Sequence, residues 1–167
     1  MNYLSKTVGR NDHAVEAAQI NMLAIIPAAI WGVIFLLLAF GFKGSGARIF
    51  FIAAAVVIVG FKLLDIKSTH LGYSTKKLIG KSGIVNTKSM DSPLNKIDNV
   101  SVRKGLFGMI FNYSTIQVNT SSGMYRFGGI KNAELFKQNL MDYIDAYEKQ
   151  KLNEQAEQIY RMNAGRQ

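Results

Sequence analysis

The sequence predicts an α+β protein in which a two-helix transmembrane hairpin is followed by an antiparallel β-barrel or sandwich, capped by a C-terminal α-helix. Three observations lead to this prediction. Two apolar runs lie close together near the start of the chain, short alternating segments follow from about residue 69, and a helical apolar stripe begins near residue 132. A chain of 167 residues has room for one compact domain and an appendage of this kind.

The first apolar run covers residues 17–42, and none of its 26 residues is charged. A helix needs about 20 apolar residues to cross a hydrocarbon core about 30 Å thick. The second run, residues 49–61, reaches Leu64 if Lys62 extends its ammonium towards the interface. A short Gly-rich turn joins the runs, so we predict two spans, at about 22–42 and 49–64. The alternative is a cleaved signal peptide plus a soluble core helix. It is disfavoured because acidic residues precede the first run and no small-residue cleavage site follows it.

The orientation of the hairpin is predicted from the cations near its ends. The turn carries Lys43 and Arg48, whereas Lys6 and Arg10 precede the first span. Five more lysines follow the second span: Lys62, Lys67, Lys76, Lys77 and Lys81. Because cytosolic segments carry the excess of Lys and Arg, we expect both termini and the domain in the cytosol, below a bacterial inner membrane.

Residues 67–131 are predicted to form short antiparallel strands. The expected strands are 69–74, 78–81, 84–90, 97–104, 115–119 and 124–127, with a break at residues 91–93. A helix is expected to begin at Asn132 as N-cap, with Glu134 in its first turn. Its predicted apolar stripe consists of Leu135, Phe136, Leu140, Tyr143, Ile144 and Tyr147.

Three sequence motifs carry a resemblance to a known family. They run from Leu71 to Ile84, from Ser92 to Val100, and from Leu106 to Val118. In order and spacing they resemble the bacterial pleckstrin-homology (PH-like) domain family, in its membrane-hairpin-anchored type, over about residues 22–149. This sequence has Asn112-Tyr113-Ser114 where the family tends to place Gly on both sides of an aromatic residue. Asn tolerates left-handed backbone, so we expect the turn to survive.

The resemblance implies a division of the chain and a class of function. We expect an N-terminal cytosolic segment at 1–18, the hairpin at 19–66, a PH-like domain at 67–149 and a C-terminal helical extension at 150–167. Members of the family are binding or scaffolding modules without a shared reaction, and eukaryotic relatives bind phosphoinositides beside the first strand hairpin. The cations that could bind a headgroup or an anionic leaflet here are Lys76, Lys77, Lys81, Lys88, Arg103 and Lys104. The alternative for each is a solvated strand face.

The residue types and their spacing give little support for catalysis or metal binding. The chain has no Cys and only two His, which excludes disulfides and thiol catalysis and leaves little for a metal site. No facing carboxylate pair and no phosphate-binding loop are predicted, so we expect no enzymatic activity, no cofactor and no metal.

The formal net charge of +9 points to an anionic partner. Nucleic acid is disfavoured because no recognition signature is present and the basic segment adjoins the membrane. We therefore predict a membrane-anchored binding or scaffold module that binds a protein partner, or self-associates through residues 149–160. The alternatives are an anionic-lipid sensor and a purely structural assembly subunit.

Overall fold

A computed structural model describes residues 12–42, 44–84 and 87–164 of the chain. Lys6, Arg10 and Lys43, which entered the predicted orientation, lie outside these residues. The elements follow the predicted α+β order of two long apolar helices, antiparallel strands and a C-terminal helix. They are β1 (Ala14–Ala17), α1 (Ile26–Gly41), α2 (Ser45–Ser68), β2 (His70–Ser74), β3 (Lys77–Ser82), β4 (Lys88–Pro93), β5 (Ile97–Arg103), α3 (Leu106–Phe111), β6 (Ser114–Thr120), β7 (Gly123–Ile130) and α4 (Ala133–Ala164).

The two apolar helices form an antiparallel pair. A 3-10 turn, Met22–Ile25, precedes α1, so the first helical stretch has 20 residues and α2 has 24. Both are long and apolar enough to cross a membrane, by length and composition. The second helix extends beyond the predicted 49–64 at both ends. Near its C-terminal end, Lys62 and Asp65 form an ion pair of 3.0 Å.

Small residues mediate the contact between α1 and α2. Gly32, Ala39 and Ala55 are buried, and a Cβ atom at Gly32 would lie 2.8 Å from Cγ2 of Val59. Most large apolar side chains on both helices point outward and are exposed, as Phe40 is at 83%. Close approach through small residues is typical of helix pairs that pack within a bilayer.

The strands form two antiparallel sheets. The first has the order β1-β2-β3-β4 and the second β5-β6-β7. The sheets share one core, in which the ring of Phe127 lies so close to Gly80 that a Cβ there would be 2.3 Å from the ring. Of the predicted barrel or sandwich, the structure shows two packed antiparallel sheets; a closed barrel is not shown.

The described residues before α1 pair with strands of both sheets. Within the expected N-terminal segment 1–18, which the structure describes from residue 12, β1 pairs with β2 in the first sheet. Ile20 then pairs with Ile130 at the end of β7. The chain therefore crosses the open edge of the domain before it enters the first apolar helix.

Two predicted segments differ from the structure. The strand predicted at 84–90 is β4, which begins at Lys88 and continues through Pro93. Pro93 is compatible with the strand because β4 is an edge strand, where a missing N–H leaves no neighbour unpaired. The break at 91–93 was wrong, since the chain turns in the 3-10 segment Leu94–Lys96 instead. The short helix α3 was also not predicted.

The C-terminal helix has 32 residues. It begins after Asn132 as predicted, and the Asn132 carbonyl accepts a hydrogen bond of 3.1 Å from the amide of Phe136. Its buried face against the sheets consists of Ala133, Phe136, Leu140 and Ile144, with Tyr143 and Tyr147 partly buried. Leu135 is exposed, so its place in the predicted stripe was wrong. From Glu148 to Ala164 every side chain is exposed.

Candidate binding surface

The six cations predicted to bind a headgroup lie in three separate places. Lys76 is exposed in the turn between β2 and β3. Lys77, the first residue of β3, forms an ion pair of 3.1 Å with Asp91 of β4. Because β2 begins two residues after α2, this turn lies at the end of the first sheet farther from the apolar helices. Lys76 and Lys77 are therefore at the end of the β2–β3 strand pair that lies away from α1 and α2.

Lys81 and Lys88 lie near the other end of the same sheet. Lys81 pairs with His70, the first residue of β2, and is about 13 Å along the strand from Lys77. Lys88 pairs with Ser82. Because side chains alternate along a strand, Lys81 and Lys88 are on opposite faces of the sheet.

The last two cations belong to the second sheet. Arg103 ends β5, and Lys104 follows it, two residues before α3 begins at Leu106. The ammonium of Lys104 lies 3.7 Å from the carboxylate of Glu134, in the first turn of α4. The six side chains thus do not converge on one pocket, although Arg103 and Lys104 stay together beside α3.

Polar contacts attach the start of the described chain to the β2–β3 turn. Ser74 Oγ donates a hydrogen bond of 2.7 Å to Asp12 Oδ2, and the Thr75 hydroxyl donates to the other carboxylate oxygen. Burial raises the pKa of Asp12, but the hydrogen bonds from Ser74, Thr75 and the His13 amide outweigh it, so the pKa lies below its usual value. These contacts fix the position of the turn.

A second polar cluster joins β1, β2 and α4. Tyr73 Oη and Asn139 Nδ2 each donate a hydrogen bond of 3.0 Å to Glu16 Oε2. Burial, together with the hydrogen bond and negative charge of Glu16, raises the pKa of Tyr73 to about 12, with a further contribution from Tyr143. The phenol stays protonated at neutral pH and acts as a donor. The cluster holds the first half of α4 against the domain.

A cleft lies between the β2–β3 turn and α4. It has a volume of about 410 Å³, with Thr75 and Lys76 on one wall. The other wall is formed by α4 residues Tyr143, Ala146, Tyr147, Gln150, Lys151 and Glu154. Aromatic side chains with a polar, charged rim are typical of protein-recognition surfaces. The sequence assigned Tyr143 and Tyr147 only to the capping stripe. That they also line the cleft depends on the position of the turn, which helical spacing does not reveal.

The second half of α4 continues the surface beyond the cleft. Leu152, Ala156 and Ile159 recur at steps of four and three residues, so they lie along one side of the helix. The large apolar side chains Leu152, Ile159, Tyr160 and Met162 are all exposed, Tyr160 at 76%. Within the described residues no group of three His, Asp or Glu side chains is placed to bind a metal ion. The arrangement offers an exposed surface for binding.

The chain was compared with known proteins. It matches the bacterial PH domain family over residues 19–156. It is also similar to the crystal structure of a DUF1696 family protein with a pleckstrin-homology domain from Shewanella loihica PV-4. The two are 9% identical, the similarity covers 84% of this chain and 89% of that chain, and the TM-score is 0.41. No curated protein matches the chain.

Proposed function

Because the chain belongs to the bacterial PH domain family, as its motifs indicated, we propose that it is a membrane-anchored binding module that assembles with a second copy of itself. A PH-like fold is in general that of a binding or scaffold module. The observation that carries the proposal is the second half of α4, which is fully exposed and bears an apolar stripe. A protein partner of another kind is the alternative occupant of the same surface.

The anchor in this proposal is the pair α1 and α2. A core helix of a soluble protein is largely buried, whereas only small residues such as Gly32, Ala39 and Ala55 are buried along the middle of this pair. The outward side chains are those that a hydrocarbon environment favours. Lys62 and Lys67 lie near the end of α2 that leads into the domain, which supports a cytosolic domain in a bacterial inner membrane.

The second half of α4 needs a partner for physical reasons. An isolated helix of about 15 residues is only marginally stable in water, because few of its side chains pack against anything. In the described structure every side chain of residues 148–164 is exposed. Burying Leu152, Ala156 and Ile159 against another helix would remove apolar surface from water and stabilise the extension.

The membrane anchor favours a second copy as that partner. Two copies in one membrane share an orientation, so a two-fold axis relating them runs along the membrane normal. The components of their α4 helices along that axis then point the same way, and the stripe of one copy can meet the stripe of the other. Confinement to the membrane also raises the effective concentration of the two surfaces.

The test is the mass of the full chain in lipid nanodiscs or mild detergent, measured by light scattering. We expect an oligomer for the natural chain and a monomer for the stripe variant Leu152→Glu/Ile159→Glu. The control Asn153→Asp/Gln158→Glu adds the same charge on other sides of the helix and should remain an oligomer. A monomeric natural chain contradicts self-association, and a stripe variant that still associates contradicts assembly through the stripe.

Binding of anionic lipid is a second candidate function, supported by the cations nearest the apolar helices. Lys81 pairs with the first residue of β2, and Arg103 and Lys104 flank α3. Since the six cations are dispersed, general attraction to an anionic leaflet is better supported than a headgroup pocket. We also propose that the chain is not an enzyme.

A further inference from the structure

The short helix α3 presents apolar side chains to the outside. Leu106 is 80% exposed, Met109 65% and Ile110 73%, and Phe107 is also exposed. Isolated apolar residues on a surface are ordinary, but four within one six-residue helix form a patch. No role in the core of the domain accounts for them.

The backbone holds this patch in place. Gly108 lies so close to the next turn that a Cβ there would be 2.3 Å from the Tyr113 carbonyl oxygen. The Tyr113 amide donates a hydrogen bond of 3.1 Å to the Gly108 carbonyl, and Asn112 has a left-handed backbone with φ 52°. Asn112 therefore fills the left-handed position that the sequence allowed. The tight turn from Gly108 to Tyr113 therefore fixes the position of α3 at the surface of the domain.

Asn21 fastens α3 to the beginning of the first apolar helix. Its side-chain amide donates hydrogen bonds of 2.9 Å to the Phe111 carbonyl and 3.2 Å to the Asn112 carbonyl. Its Oδ1 accepts one of 2.9 Å from the amide of Leu23. The helix α3 thus lies beside the 3-10 turn Met22–Ile25, where Met22 and Leu23 are themselves exposed. The apolar surface of the helix pair continues onto the domain.

Cations border the patch. Arg103 and Lys104 are exposed and are separated from α3 only by Gly105. Lys131 is also exposed, and its amide donates a hydrogen bond of 2.8 Å to the Gln19 carbonyl, close to Asn21. Apolar side chains with Lys and Arg beside them are typical of helices that lie in the interface of an anionic membrane.

We propose that α3 inserts into the cytosolic leaflet and forms a third membrane contact, besides α1 and α2. The side chains of Leu106, Met109 and Ile110 contact the upper acyl chains, while Arg103 and Lys104 contact lipid phosphates. This contact fixes the orientation of the domain, so the β2–β3 turn and the cleft face away from the membrane. The proposal rests on the membrane anchor of the proposed function.

The test is the depth of single spin labels on the full chain in vesicles of phosphatidylglycerol and phosphatidylcholine. The chain has no Cys, so each introduced cysteine is labelled alone. Met109→Cys and Ile110→Cys report on α3. Val33→Cys is the reference within α1, and Lys76→Cys is the reference in the β2–β3 turn. Collision rates with oxygen and with a water-soluble nickel chelate give the depth of each label.

We expect the Val33 label deep in the bilayer, both α3 labels at the level where headgroups meet acyl chains, and the Lys76 label in water. If the Val33 label is deep while the α3 labels collide with the chelate as often as the Lys76 label does, α3 does not contact the membrane. The membrane anchor formed by α1 and α2 is unaffected by that result. If the Val33 label is also in water, the anchor itself is wrong. Spin–spin broadening at Met109 that falls when lipid is added would mean that a second copy covers α3, which also overturns the proposal.

Discussion

The two halves of α4 have similar apolar spacing but opposite surroundings. In the first half, Phe136, Leu140 and Ile144 are buried against the two sheets. In the second half, Leu152 and Ile159 have comparable size and spacing and are exposed. An apolar stripe therefore does not by itself show that a helix packs within its own chain. In this chain the part of α4 that packs against the domain ends near Tyr147.

The largest expected difference between the halves is in stability. Leu140→Ala removes a fully buried side chain and should lower the free energy of unfolding by about 2–5 kcal/mol. Leu152→Ala removes an exposed one and should change it by less than about 0.5 kcal/mol in dilute detergent. Thermal unfolding of both variants, measured on the monomeric chain, checks this. Equal losses would show that the second half also packs within the chain.

The second expected effect concerns the cluster that holds the first half in place. Glu16→Ala leaves the buried Tyr73 hydroxyl and the Asn139 amide without their shared acceptor. We expect a loss of about 1–3 kcal/mol, because buried donors are costly to leave unpaired. Gln155→Ala, in the exposed half, is the control and should cause no measurable loss. A tolerated Glu16→Ala would mean that this cluster does not anchor α4.

The pH dependence of stability should follow the same cluster. The folded state raises the pKa of Tyr73 to about 12, above the value of about 10 expected in the unfolded chain. The folded state therefore favours the protonated phenol. Its contribution is fully present below pH 10 and is lost as the pH rises from 10 towards 12. Unfolding of Tyr73→Phe should lose this part of the alkaline decline, and a curve identical to that of the natural chain would contradict the assignment.

The smallest expected effect is at the β2–β3 turn. Lys77→Ala removes an exposed ion pair with Asp91 and should lower the free energy of unfolding by less than about 1 kcal/mol.

If the cations near the apolar helices bind the leaflet, charge reversal at Arg103 and Lys104 should have a different effect in anionic vesicles from charge reversal at Lys76 and Lys77. The full chain reconstituted with Arg103→Glu/Lys104→Glu should show a changed domain orientation by fluorescence energy transfer to the lipid. Lys76→Glu/Lys77→Glu, with the same change in charge, should leave the orientation unchanged. The reverse result would place the β2–β3 turn at the membrane.

Much of the fold could be predicted because its signals are local. The apolar runs, the alternation in β5 and β6, and the start of α4 at Asn132 all depend on residues close in sequence. The helix α3 was missed because it has only six residues, with Gly105 directly before it and Gly108 within it. A short segment with two glycines resembles a loop more than a helix. The strand β1 was missed because its four residues form a strand only through pairing with β2.

The candidate surface could be predicted only in part. The sequence gives the positions of the lysines along the chain. Which of their side chains lie together depends on strand register, which places Lys81 and Lys88 on opposite faces of the sheet. The cleft required the β2–β3 turn to meet α4, a contact between residues far apart in the chain. The exposed stripe beyond Lys149 was visible from spacing, because it depends on nothing outside its own helix.

Cysteine cross-linking in native membranes is a direct test of assembly through the second half of α4. Ala156 lies within the stripe, between Leu152 and Ile159, while Gln158 lies away from it on the same helix. Since the natural chain has no Cys, Ala156→Cys and Gln158→Cys differ only in the position of one thiol. We expect mild oxidation to convert Ala156→Cys to a disulfide-linked dimer and to leave Gln158→Cys largely monomeric. No dimer from Ala156→Cys, or equal dimer from both, would contradict assembly through the second half of α4.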